Sequence, residues 1–251
     1  MIVNALSFSE KGLVRIENQD VVFLAKAGET YLFVVADGMG GCANGKYASV
    51  RTIQHLKEWW EKLDNVIATI SFCNLVDSLE RSIHDLNSLI YNEYKKNGCI
   101  GGTTLDVLVV HKKQYAFINI GDSHIYCCSQ KTCLQITTDD VWENSFRVRE
   151  NRKLSDLKKD PRYGRLTNAV GSYERISFGV TTGEINQKTV FLMCTDGVYK
   201  FCKQGKIFRI LKKIRKKDKN SQYLDQIKSE VYKNGAGDNL SAILIKMDLG
   251  E

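Results

Sequence analysis

Two periodicities organise the apolar positions of this chain. Residues 31–36 (YLFVVA) and 190–195 (VFLMCT) are short runs of β-branched, aromatic and other apolar side chains. Each stops at Asp-Gly, which predicts a buried strand ending in a turn. Ile53, Leu56, Trp60 and Leu63, then Val76, Leu79, Ile83, Leu86 and Ile90, recur instead at helical spacing and predict two long helices, each with one face for a sheet. Residues 103–110, 114–120 and 124–129 return to strand character with short connections, which reads as an antiparallel meander. Residues 139–165 are polar with weak periodicity, as in an exposed flap or short helices beside a site. Helices over about 203–216 and 221–233 and an apolar strand over 240–247 close the pattern. Strands and helices arrive in blocks, so the expected class is α+β rather than doubly wound.

Composition narrows the class. The chain has 251 residues, 43% apolar and 26% charged, and one proline. With no repeat or low-complexity tract, this predicts a single domain over residues 1–251. There is no apolar run long enough to span a bilayer and no signal-like opening, so a cytoplasmic protein is expected. The eight cysteines lack CxxC spacing, which favours free thiols, and neither they nor the four histidines are spaced as a structural zinc site requires. The formal charge of +7 admits nucleic acid, an anionic membrane or phosphorylated proteins as partners. Much of it lies in residues 203–219, however, and is not interleaved with aromatic strands, so no nucleic-acid partner is expected. Ile207, Ile210, Leu211 and Ile214 give that stretch one apolar face for the core and leave a basic face for solvent or for acidic partners.

The candidate chemistry lies in acids. Asp37 (ADGMGG) and Asp196 (TDG) follow apolar strands, Asp122 (NIGDS) sits between middle strands, and Asp238 (GDN) opens the last strand. Taken singly, each reads as an ordinary turn residue. Taken together, four carboxylates at strand ends without His or Cys suit hard cations such as Mg²⁺ or Mn²⁺. Two such ions could activate a water and clamp the oxygens of a phosphoryl transfer.

The segments GLVRIENQD (12–20), VVADGMGG (34–41), GGTTLDVLVV (101–110), NIGDSHIY (119–126), RLTNAVG (165–171), FLMCTDGVYKF (191–201) and GAGDNLSAILI (235–245) resemble, in order and over nearly the whole chain, the protein phosphatase 2C family and its small bacterial members. The resemblance implies a four-layer α-β-β-α sandwich of two antiparallel sheets flanked by helices. It implies hydrolysis of phosphoserine and phosphothreonine by a metal-activated water at two Mn²⁺ or Mg²⁺ ions. Asp37 would bridge the ions, with the Gly38 carbonyl on one and Asp196 and Asp238 on the other. Asp20 would hold metal-bound water, Arg15 would grip the substrate phosphate, and Asp122 with Asp196 would bind a third, weaker ion. Asn239 would orient the Asp238 turn. Expected partners are phosphorylated proteins and an opposing Ser/Thr kinase, and the expected state is a monomer.

Gln19 and Met39 stand where eukaryotic members of that family carry Glu and His. His124 stands where an Arg commonly follows GDS and reads as a structural variation, while Asp139-Asp140 replaces the usual Asp-His at the flap entry and leaves the flap's selectivity open. Three other readings compete: a phosphoprotein-binding pseudophosphatase, a dedicated phosphatase of one regulatory protein, and a metal-dependent nuclease.

Overall fold

The computed structural model describes residues 1–40, 45–63, 66–130, 132–145, 153–216 and 220–250. One sheet has the order β1 (Ile2–Glu10), β11 (Leu240–Asp248), β10 (Thr189–Cys194), β7 (His124–Ser129) and β8 (Thr132–Gln135). The other has the order β2 (Asp20–Ala27), β3 (Thr30–Gly40), β5 (Leu105–His111), β6 (Gln114–Ile120) and β9 (Val180–Glu184), with β4 (Gly101–Thr103) on the end of β3. All pairings are antiparallel.

Strand periodicity sorts the core into three layers. Along β3, Leu32 and Val34 face α1 (Gly45–Leu63) and α2 (Phe72–Lys96), while Tyr31, Phe33 and Val35 face the other sheet. Along β11, Leu240, Ala242 and Leu244 meet α5 (Gln204–Lys216) and α6 (Asn220–Lys233), while Ile243, Ile245 and Met247 enter the space between the sheets. Strands covered on both faces need no polar side, which is why these runs are almost continuously apolar. The layers are therefore α-β-β-α, as expected. Ile207, Ile210, Leu211 and Ile214 are buried, so the core-packing face of α5 holds, and residues 217–219 of the basic stretch lie outside the described residues.

Three expectations need correction. The run ending at Asp37 does not stop there: β3 continues through Gly38, Met39 and Gly40 by exchanging β5 for β4 as its partner. The middle strands do not form one meander, because β6 pairs with β5 and β9 whereas β7 pairs with β10 and β8. The chain changes sheet at Gly121-Asp122-Ser123. Gly121 has φ +106°, and a Cβ there would lie 2.7 Å from the Thr104 side chain, so only glycine fits this crossover. Finally, Cys128 and Cys133 are not free thiols: the β7–β8 hairpin sets them directly opposite one another, and they form a disulfide.

The remaining strands, β1, β2, β8 and β9, carry weaker hydrophobic signals because they are partly exposed. Within the flap, residues 146–152 lie outside the described residues. Its ends are tied down: Val141 bridges Leu166, and Asp140 accepts hydrogen bonds from the Gly121 N–H and the Asn168 amide.

Candidate active site

A cleft of about 600 Å³ opens where both sheets and the flap meet. Arg15, Asp37, Gly38, Asp122, Asp196 and Asp238, all singled out from the sequence, line it. Asp20 lies deeper and is 4% exposed.

Strand pairing places the two deepest acids. Asp20 opens β2 directly opposite Asp37 on β3. Opposed residues on an antiparallel pair bring their Cβ atoms to about 5 Å, where like charges repel. The backbone of Asp37 is clamped, with its N–H donating to Thr104 Oγ1 at 3.0 Å and its carbonyl accepting from Thr103 Oγ1 at 2.9 Å. Thr195 Oγ1 donates to Asp20 Oδ2 at 2.8 Å, whereas Asp20 Oδ1 is buried without a protein partner. At Gly38 the backbone passes so close to the start of α1 that a Cβ would lie 2.1 Å from the Gly45 carbonyl oxygen.

Asp196 opens the short helix α4 (Asp196–Tyr199), which follows α3 (Leu154–Leu157) in chain order, instead of the expected turn. Asp238 stands just before β11, and Asn239 fixes that corner. The Asn239 Oδ1 accepts the Gln19 N–H at 2.9 Å, and its Nδ2 donates to the carbonyls of Lys11 and Glu17 at 2.9 Å each. The last strand and the Arg15 segment are thereby held as one unit.

The electrostatics follow from crowding acids in a buried place. Burial, then the charges of Asp20, Asp196 and Asp122, push Asp37 well above the ordinary carboxylate range. Burial also raises Asp20, against opposing hydrogen bonds from Thr195 and Ser241. Asp122 is pushed up to about 6 by burial and then by the charge of Asp196. Two basic side chains meet this charge. Arg15 forms a two-point pair with Asp238, and Lys200 Nζ contacts Asp196 Oδ2 at 2.5 Å.

The donors fit a hard cation. They are all oxygen, one buried carboxylate oxygen lacks a partner, and the mutual repulsion of the acids would be relieved by positive charge. Among the described residues, no three His, Cys, Asp or Glu side chains converge as a ready-made cage. Mg²⁺ needs none, since it binds through one or two carboxylates and keeps several waters.

Several cleft residues escaped the sequence reading. Lys200 had a legible signal, because it lies one helical turn after Asp196. Arg165, whose carbonyl accepts the Trp142 N–H at 2.8 Å, and Tyr173 and Ile100 reach the cleft only through the fold. His124 is buried beside the cleft. Its Nδ1 lies 2.8 Å from the Tyr126 hydroxyl, and its Nε2 lies 3.0 Å from Asp139 Oδ1 without hydrogen-bond alignment.

The protein phosphatase 2C family model matches residues 14–245. The serine/threonine phosphatase stp of Listeria monocytogenes serotype 4b is 26% identical over 245 residues, covering 96% of this chain and 94% of the relative. A solved bacterial serine phosphatase superposes with a TM-score of 0.86 at 24% identity, covering 100% of both chains. The catalytic domain of the phosphatase PstP, solved in complex with 2 manganese ions, superposes with a TM-score of 0.79 at 23% identity over 98% of this chain and 99% of that one. Matched over nearly its whole length, the chain belongs to the protein phosphatase 2C family, whose bacterial members are serine/threonine phosphatases.

Proposed function

We propose that this chain hydrolyses phosphoserine and phosphothreonine in phosphorylated proteins at a centre of two Mn²⁺ or Mg²⁺ ions held by Asp37, the Gly38 carbonyl, Asp196 and Asp238. The observation that carries this reading is the buried opposition of Asp20 and Asp37, a repulsive pair that makes sense where cations are to be received. Bound there, such ions lower the pKa of water and neutralise phosphoryl oxygens. The chain's own residues do the rest. Asp20 sits behind Asp37, where its unpartnered Oδ1 can orient a water. Arg15 offers a planar two-donor fork that suits a phosphate as well as it suits Asp238. No histidine lines the cleft among the described residues, so protein side chains supply no imidazole to protonate the leaving oxygen.

The opposing enzyme in this reading is a Ser/Thr kinase of the same cell, and the site of action is the cytoplasm. The structure contributes to the latter only that no described helix is long and apolar enough to cross a membrane. The deciding experiment incubates the purified protein and Mn²⁺ with a phosphothreonine peptide and, separately, with single-stranded DNA. Release of phosphate from the peptide alone is expected. Cleavage of DNA, or tight peptide binding without phosphate release, would replace the phosphatase reading with the nuclease or pseudophosphatase one.

A further inference from the structure

Lys200 places a fixed positive charge where the acid cluster would receive an additional ion. It follows Asp196 by one helical turn, its N–H donates to the Asp196 carbonyl at 2.9 Å, and its Nζ contacts Asp196 Oδ2 at 2.5 Å. The charges of Asp122 and Asp238 also act on it. Its backbone cannot drift, because the preceding Tyr199 is stacked flat on the buried His124 ring, with centroids 3.6 Å apart and planes 8° from parallel.

A Mg²⁺ ion coordinated to an oxygen of Asp196 would sit about 2.0–2.1 Å from it. On Oδ2 that position conflicts with the ammonium in both space and charge, and Asp122 is within electrostatic reach of both Asp196 and Lys200. The ammonium is also tethered four residues away, at an effective concentration in the millimolar range typical of short links, and its single charge costs less to dehydrate than that of a small divalent ion. The pair uses Oδ2 alone, so Asp196 keeps a second oxygen for the two-ion centre.

We infer that Lys200 is a built-in cation that occupies the Asp122–Asp196 side of the cluster in place of a further metal ion. On this inference Asp122 balances the lysine and does not ligate an ion. The inference rests on the two-ion reading above, and the test keeps the two apart.

Mn²⁺ bound per chain is counted by calorimetry and by electron paramagnetic resonance of free Mn²⁺, for the unchanged protein, Lys200→Met, Lys200→Gln and Asp122→Ala, and for Lys200→Met combined with Asp122→Ala. Lys200 is half-exposed, so each variant is expected to fold, and circular dichroism checks that it does. The unchanged chain is expected to bind two ions, and Asp122→Ala should not alter that count. Lys200→Met and Lys200→Gln should each gain a third, weaker ion, which the added Asp122→Ala removes. Three ions on the unchanged chain, a count that Asp122→Ala lowers there, or two ions on both lysine variants would overturn the inference while leaving the two-ion reading intact. No bound Mn²⁺ on the unchanged chain would overturn both.

Discussion

Arg15 grips Asp238 through two parallel hydrogen bonds, Nε to Oδ1 at 2.6 Å and Nη2 to Oδ2 at 2.7 Å, although the residues lie 223 positions apart in the chain. The same fork would hold a phosphate, and the same carboxylate would hold a metal ion. On the proposed reading, binding of metal and substrate would exchange this pair for two new ones.

That exchange predicts opposite effects of one substitution. Arg15→Ala should lower kcat/KM for a phosphothreonine peptide by about 10–100-fold, the worth of a charge-assisted pair at about 1.5–3 kcal/mol. Its affinity for Mn²⁺ should stay equal or rise, because Asp238 loses a competing cation. Weaker Mn²⁺ binding in calorimetry would show that Arg15 supports the metal site and does not compete for it.

Asp37 should behave as a ligand under strain. Asp37→Asn should cut turnover by more than the roughly 10–100-fold typical of a residue that only supports a ligand. Without metal, the same change should raise Tm, since the buried Asp37 carboxyl must either keep a charge opposite Asp20 or take up a proton, and an amide does neither. Differential scanning fluorimetry with and without Mn²⁺ reads both effects. A lowered metal-free Tm together with an unchanged metal-induced gain would refute the assignment.

Removal of metal provides a direct check. Activity on a phosphothreonine peptide should fall to background in excess chelator and return on addition of Mn²⁺ or Mg²⁺, as oxygen-only donors require. Zn²⁺ should restore it poorly. Full turnover after exhaustive chelation would rule out the metal-centred reading.

Asp106 gives a pH prediction outside the ligand set. It is fully buried on β5, its Oδ1 accepts from Asn119 Nδ2 at 2.6 Å, and its Oδ2 has no partner. Burial pushes it up to about 8, against an unfolded value of about 3.9. A folded pKa above the unfolded one means that the native state keeps a proton the unfolded chain releases. Its stabilising contribution is thus full below about pH 4 and is lost as pH rises through about 8. Asp106→Asn should flatten the fall of stability between those limits, by at most about 1.4 kcal/mol per pH unit. Urea melts in chelator at several pH values test this, and parallel curves for the two proteins would reject it.

Sequence alone determined what local chemistry can determine. Both long helices, the two apolar runs that carry Asp37 and Asp196, and the final strand were legible because hydrophobic periodicity and burial coincide there. The order of the acid-bearing segments was enough to point to the family. Only the tertiary structure decided how those segments meet. The change of sheet at Gly121 and the continuation of β3 onto β4 depend on partners distant in sequence, and no local pattern encodes which partner wins, while the Cys128–Cys133 pairing depends on the register of the local β7–β8 hairpin. The site divides along the same line. That Asp20 and Asp37 carry carboxylates was plain from the sequence, but that they oppose one another in a buried register, with Arg15 and Lys200 holding two of their neighbours, arises from strand pairing and a sheet crossover. Residue identity sets the charge of each group, while its energy depends on burial and on the charges placed beside it, which exist only once the sheets have packed.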